Sequence, residues 1–225
     1  MTSLVCQAFF LHFGGFMKSE EIKQQNYEKI KNTASVLFFI QGIEATNLYQ
    51  IAAASGISKV SIYKHFETKY DIAKDILLER MGDKTQQLAE ELKEKPEETG
   101  AAQMRRLLEK LTVPTQGDMV FYALFMEYAM YLQRSHKSQI PQLFDYFEAS
   151  VRDLFAAALE KGQKDGSLKC EDAPQVVFET VTGAIRGSCM LFFLKNAGVM
   201  SEKHLSDLNH RLNRVIDGCM RMMSA

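Results

Sequence analysis

Apolar residues recur at three- and four-residue spacing along most of this chain, the signature of helices with one inward face. Ile30, Ala34, Leu37 and Phe38 form one stripe, which Gly42 terminates. Leu48, Ile51 and Ala52 form a second, short stripe, with Thr46 before it as the expected N-cap and Ser55-Gly56 after it. Ile62 and Phe66, four residues apart, mark the inward side of a third element that Ser58 caps. Ile72, Ile76 and Leu77 open a fourth, with Thr68 as its cap.

The remainder also reads as helix. Pro96 and Thr99-Gly100 break the chain, Ala101 to Leu111 is a short helix, and Pro114 to Gly117 is a turn. Asp118 to Arg134 is apolar around most of its circumference, which predicts a central helix. Ser138 caps a longer helix that ends in the Gly162 to Gly166 segment. Pro174 suits a first helical position, the helix after it runs to about Lys195, and Ser201 caps the last one. No stretch alternates with period two. The pattern predicts an all-α protein in three parts: residues 1–22 a flexible arm, 23–83 a domain of mostly short helices, and 84–225 a helical bundle.

The segment from Gly42 to Lys69 carries the chemistry. Two short helices joined at Ser55-Gly56 have the layout of a helix-turn-helix, whose second helix enters the DNA major groove. Lys59, Ser61, Lys64 and His65 remain for the outer surface of that helix, with Val60 and Tyr63 beside them. Lys59, Lys64, Lys69 and Lys74 surround it. The candidate DNA-binding residues are therefore Thr46, Asn47, Tyr49, Lys59, Val60, Ser61, Tyr63, Lys64, His65 and Lys69. Among them Tyr63, Lys64 and Lys69 are expected on phosphates, and Lys59, Val60 and Ser61 on bases.

Residues 27–80 resemble the DNA-binding domain of the TetR family of bacterial transcription regulators. The matching features are Ala34, Leu37-Phe38 and Gly42, then Ala45-Thr46, Ile51-Ala52, Ser55-Gly56-Ile57-Ser58, Ile62-Tyr63-Lys64-His65-Phe66 and Lys69, without a gap. The chain departs from the family pattern at Val60, often a small residue, and at Tyr49, often Arg. Val60 suits a thymine methyl, and Tyr49 can hydrogen-bond a phosphate without a charge. The resemblance implies a homodimer that binds a palindromic double-stranded operator, acts as a repressor, and is released by a small ligand in the larger domain. A DNA-binding protein with an architectural or division-related role is the alternative.

Two further sets of residues follow from the larger domain. Phe121, Tyr122, Phe125, Met126, Tyr128, Phe144, Phe147, Phe178 and Arg186 are candidates for a pocket for an apolar or amphipathic ligand, although side chains of this kind commonly fill a core. Arg186 is expected to pair internally with Glu127 or Glu179. Leu205, Leu208, Leu212, Val215, Cys219 and Met222 are spaced 3, 4, 3, 4, 3, a seam suited to a helix-bundle interface. By the resemblance, that seam and residues 174–195 form the dimer contact; the alternative is that the stripe faces its own core.

Composition narrows the remaining classes. The 225 residues are 46% apolar with a net charge of −1, so there is no global basic signature. Residues 18–84 carry ten Lys/Arg against nine Asp/Glu, so DNA affinity would rest on placed contacts rather than on bulk charge. Cys6, Cys170, Cys189 and Cys219 form no metal-ligand spacing, and reduced thiols in the cytoplasm are the expectation. No Gly-rich phosphate loop, GxSxG or His pair at i, i+4 spacing is present, and neither an enzyme, a cofactor nor a metal site is expected. The apolar run in residues 1–17 has no positively charged lead and is too short to span a membrane. Met17-Lys18-Ser19-Glu20 resembles a natural start.

Overall fold

The computed structural model describes residues 3–93, 95–112, 116–135, 140–195 and 201–224; side chains at 3–19, 116–120, 140–147, 150, 193 and 194 lie outside the description. Among the described residues every regular element is an α-helix. In chain order they are α1 (Ser3–Ala45), α2 (Leu48–Ser55), α3 (Lys59–Tyr63), α4 (Lys69–Lys93), α5 (Gly100–Thr112), α6 (Gln116–Arg134), α7 (Ile140–Asp165), α8 (Pro174–Lys195) and α9 (Glu202–Ser224). The chain divides into two compact units, Met1–Leu77 and Leu78–Ala225. The division falls inside α4, ahead of the expected boundary at 83.

In the first unit, Ile30, Ala34 and Phe38 of α1 pack with Ile51, Ile62, Phe66, Ile72 and Leu77, all buried. A fully buried Ile contributes about 2 kcal/mol, so these contacts dominate the stability of so small a unit. Backbone helix begins at Ser3, so the segment expected as an arm continues α1. Near its other end Gly42 adopts φ 82°, ψ 165°, a region open essentially to glycine alone. The resulting bend brings Ile43 into the core at 1% exposure.

The larger unit is held by α5 against α7 and by α8 against α9. Phe155 of α7 meets Phe178 of α8 edge-on, with centroids 5.4 Å apart. Met104, Leu107 and Leu108 of α5 are wholly buried beside them. The first amides of α5 find partners on the far end of α7: Gly100 N donates to Asp165 Oδ2 at 2.7 Å and Ala101 N to Ser167 Oγ at 3.0 Å. These bonds satisfy donors that a helix start leaves unpaired. With Ser167 and Gly100 donating to it, the Asp165 carboxyl is held below the ordinary carboxylate range.

The helix expected to end between Gly162 and Gly166 ends at Asp165. Gly162, in its last turn, gives α5 room to cross: a Cβ on Gly100 would sit 1.9 Å from Gly162 N and 2.3 Å from Gly162 Cα. Two expectations are corrected. α6 is not central, because of its described residues only Leu124, Tyr128 and Leu132 are buried while Met130 is 41% exposed. The seam on α9 does not form an outward face either. Leu208, Leu212 and Cys219 are buried in the unit's own core together with Ile216, Met220 and Met223. Leu205 and Val215 pack at the edge of that core, and only Met222, 41% exposed, reaches well into solvent.

The crossing gives a direct stability test. Gly100→Ala is expected to cost about 3 kcal/mol, because backbone rather than a flexible side chain must move. Gly82→Ala, in α4 with nothing within 4 Å of the added carbon, is expected to stabilise by about 0.5–1 kcal/mol. Urea unfolding of both variants measures the contrast.

Candidate nucleic-acid interface and ligand cleft

The helix-turn-helix is assembled from local caps. Ser58 Oγ accepts from Ser61 N at 3.1 Å and starts α3. Gly56, at φ 65°, closes α2 in the left-handed conformation that a glycine C-cap supplies. Asp71 N donates to Thr68 Oγ1 at 3.2 Å and Thr68 N to Asp71 Oδ2 at 2.7 Å, a reciprocal cap on α4. Asn47, not Thr46, is the N-cap of α2: its Oδ1 accepts from Gln50 N, and Gln50 Oε1 accepts from Asn47 N, both at 2.9 Å. Thr46 is 1% exposed and its hydroxyl donates to Gly42 O at 2.7 Å. Its role is to fasten the turn between α1 and α2, and it offers nothing to DNA.

The five residues of α3 are fixed from behind. Ile62 is fully buried, and Phe66 stacks on Tyr27 of α1 with centroids 5.1 Å apart. The Tyr27 hydroxyl donates to Asp75 Oδ2 of α4 at 2.6 Å, and Lys31 Nζ lies 4.7 Å from the centre of its ring. What α3 and its C-cap Lys64 present outward is Lys59, Val60, Tyr63 and Lys64, with Ser61 half-buried. Val60 is 70% exposed, Tyr63 51%, and Tyr49 of α2 72%. Large side chains held in water beside cations make a surface suited to bases and phosphates.

Two other expected contacts have different surroundings. Lys69 Nζ donates to Glu44 O at 2.7 Å and lies 3.4 Å from Glu44 Oε2, with its side chain 19% exposed. Tyr70 also donates to Glu44 Oε2, at 2.8 Å. Lys69 therefore ties the start of α4 to the segment after Gly42 in this structure. His65 is half-buried, its ring 6.0 Å from that of Tyr27. Burial above all, then the charges of Lys23 and Lys64, hold its imidazole below the ordinary value of 6.5.

In the larger unit a small cleft that opens to solvent lies among α4 to α8. α4 contributes Arg80, Met81, Lys84, Thr85 and Leu88. Leu111, Phe121, Tyr122 and Val151 come from the middle helices, and Thr182, Ile185 and Arg186 from α8. Phe121, Tyr122 and Arg186 thus lie where the sequence placed a pocket. Phe178 does not: it is fully buried, with Arg152 5.7 Å from its ring centre. Phe125 stacks along α6 on Phe121 and, with Met126 and Tyr128, is not part of the lining. Phe144 and Phe147 lie outside the described side chains. Arg186 pairs with Glu148 of α7, not with Glu127 or Glu179. The α4 share of the lining escaped the sequence reading because that stretch lies across the expected domain boundary. Its signal was the seven-residue spacing of Met81 and Leu88, which puts them on one face of a helix.

Among the described residues no group of three or more His, Cys, Asp or Glu could hold a metal ion. No helix among them is long and apolar enough to cross a membrane.

The environment of His65 fixes the sign of one pH effect. Its folded pKa lies below 6.5, so the unfolded chain takes up the proton first as pH falls. Stability from the neutral ring is complete above about pH 6.5 and is lost as pH falls from there through the lower folded value. Thermal unfolding from pH 7.5 to 5 is expected to show a larger loss in the wild type than in His65→Gln.

Comparison with known proteins places these features. Residues 30–76 match the model of bacterial regulatory proteins of the tetR family. Over 59 residues the chain is 36% identical to the HTH-type transcriptional regulator AcrR of Shigella flexneri, a stretch covering 26% of this chain and 27% of that protein. The chain thus aligns with about a quarter of that relative. The fold extends further. The transcriptional regulator FadR from Bacillus subtilis, solved in complex with stearoyl-CoA, superposes with a TM-score of 0.69 at 18% identity, covering 87% of this chain and 98% of that one. A TetR transcription regulator from Haloarcula marismortui superposes with a TM-score of 0.66 at 20% identity, covering 87% and 98%. At such identities what is shared is the fold, whereas the match over the helix-turn-helix is one of sequence. Residues 30–76 of this chain are therefore similar in sequence to bacterial regulatory proteins of the tetR family, and the described residues share the all-helical fold of these solved structures.

Proposed function

We propose that this protein is a transcription regulator that represses by occupying a palindromic operator as a homodimer and is released by a small molecule bound in the larger unit. The observation that carries the reading is the outward surface of α3, where Lys59, Val60, Tyr63 and Lys64 stand in solvent while Ile62 and Phe66 anchor the helix from behind. Tyr63 and Lys64 contact phosphates; Lys59, Val60 and Ser61 face bases. Release follows if the ligand has a higher affinity for a geometry in which the two recognition helices no longer match successive grooves. FadR from Bacillus subtilis was solved with stearoyl-CoA, which supports a ligand-binding role for a unit of this fold.

Pairing uses α8 and α9, but through a different surface from the heptad seam. Val176, Met190 and Leu191 of α8 are 53%, 42% and 57% exposed, and a Cβ on Gly183 or Gly187 between them would meet nothing within 4 Å. On α9, Gly218 has the same open space and Met222 is 41% exposed. Apolar side chains alternating with glycines on two neighbouring helices suit close packing against the same surface of a second copy, as twofold symmetry requires. Leu191→Glu is expected to give a monomer with unchanged circular dichroism, read by sizing with light scattering. A variant that remains dimeric would move the interface elsewhere.

The DNA reading is tested by titrating labelled operator, selected from random duplexes, at several salt concentrations. Lys64→Ala is expected to weaken binding to all sequences and reduce the salt slope by about one unit. Val60→Ala is expected to change the preference at one position by about 1 kcal/mol or more, at an unchanged slope. Equal affinity of the wild type for operator and random duplex would refute the reading.

A further inference from the structure

One cation and one acid tie the end of α1 to the start of α4, on either side of the helix-turn-helix in the chain. Lys69 Nζ donates to Glu44 O at 2.7 Å and lies 3.4 Å from Glu44 Oε2. Tyr70 donates to the same carboxylate oxygen at 2.8 Å, and the Lys69 ammonium lies 5.3 Å from the centre of the Tyr70 ring. Glu44 stands three residues ahead of Asn47, the N-cap of α2, and Lys69 five residues beyond Lys64, the C-cap of α3. The partners differ in exposure: the Lys69 side chain is 19% exposed, that of Glu44 75%. The ammonium is therefore partly withdrawn from salt screening, while the carboxylate is open to water and to any anion that approaches.

Charge gives this pair its weight. Residues 18–84 carry ten Lys/Arg against nine Asp/Glu, so a duplex meets no bulk positive field and each placed lysine counts. A phosphate and the Glu44 carboxylate are chemically alike to Lys69, since both are anions that accept charge-assisted hydrogen bonds. Glu44 O is a further acceptor, one of the last carbonyls of α1, where a helix carries negative partial charge. A lysine held by such groups displaces no counter-ion from DNA unless it leaves them.

We propose that Glu44 competes with DNA phosphate for Lys69 and so holds down the affinity of the helix-turn-helix for any duplex. This rests on the reading of the α3 surface as the one that faces DNA. It adds an internal competitor that lowers affinity without reading sequence.

The test is a double-mutant cycle on the full chain: wild type, Glu44→Gln, Lys69→Gln and the double variant. Each is titrated against the selected operator and against a random duplex at several salt concentrations. Gln at position 44 keeps an oxygen for the Tyr70 hydroxyl, and Gln at position 69 keeps a donor for Glu44 O, so the fastening loses charge rather than contact. Melting temperatures of the four are expected to agree within about 3 °C. Glu44→Gln is expected to bind both duplexes about fivefold more tightly than wild type at low salt, with a salt slope larger by about one unit. In the Lys69→Gln background the same substitution is expected to change affinity by less than about twofold. An equal gain in both backgrounds would mean that the carboxylate merely repels the duplex, and would overturn the competition. Unchanged or weaker binding by Glu44→Gln would overturn it too, the weaker case marking the pair as one that positions the helix-turn-helix for DNA. No binding of either duplex by any of the four proteins would overturn the DNA reading itself.

Discussion

A helix of five residues has no stability of its own, since fixing its first turn costs more than its few hydrogen bonds return. The surface proposed to face DNA is built on such a helix. Several neighbouring side chains hold α3 in place. Ser58 caps it, Ile62 is buried beneath it, and Phe66 immediately after it stacks on Tyr27. Tyr27 in turn is fixed by Asp75 of α4 and Lys31 of its own helix. The side chains that leave the surface, Val60 and Tyr63, are spared any structural task. On the proposed reading, that separation lets operator preference change without disturbing the fold.

Much of this was legible in the chain because caps and turns are local chemistry. Ser58, Gly56 and Thr68 each act within three residues of themselves, and the sequence shows those neighbours directly. Thr46 and Asn47 show the limit. Both are good capping residues, and the choice between them depends on Gly42, whose bend puts its carbonyl within reach of the threonine hydroxyl. Lys69 is a similar case: a lysine near a recognition helix reads as a phosphate contact until Glu44 is placed beside it.

The larger unit was less legible because its helices carry apolar residues on more than one side. On α9 two stripes compete, and spacing alone favoured the one containing Leu205, Val215 and Met222. The packed set instead drifts through Ile216, Met220 and Met223, following the 3.6-residue turn of a single helix rather than the 3.5-residue repeat of a supercoil. On α6 an abundance of aromatic residues suggested enclosure, yet most of them border the cleft or the surface. Gly162 could not be read as a crossing point, since the close approach of Gly100 is a fact of three dimensions.

The bend at Gly42 has a consequence for how this protein can drift over generations. Every single-nucleotide change in a glycine codon that yields another amino acid adds a side chain, and none of those residues accepts φ 82° with ψ 165° without strain. Two fastenings depend on the path set there, Thr46 to the Gly42 carbonyl and Lys69 to Glu44. In a population under selection, position 42 is therefore close to a fixed point of the lineage. The neighbouring surface at Tyr49 and Val60 is free of that constraint, so under the proposed function a copy of the gene can acquire a new operator while retaining the same turn.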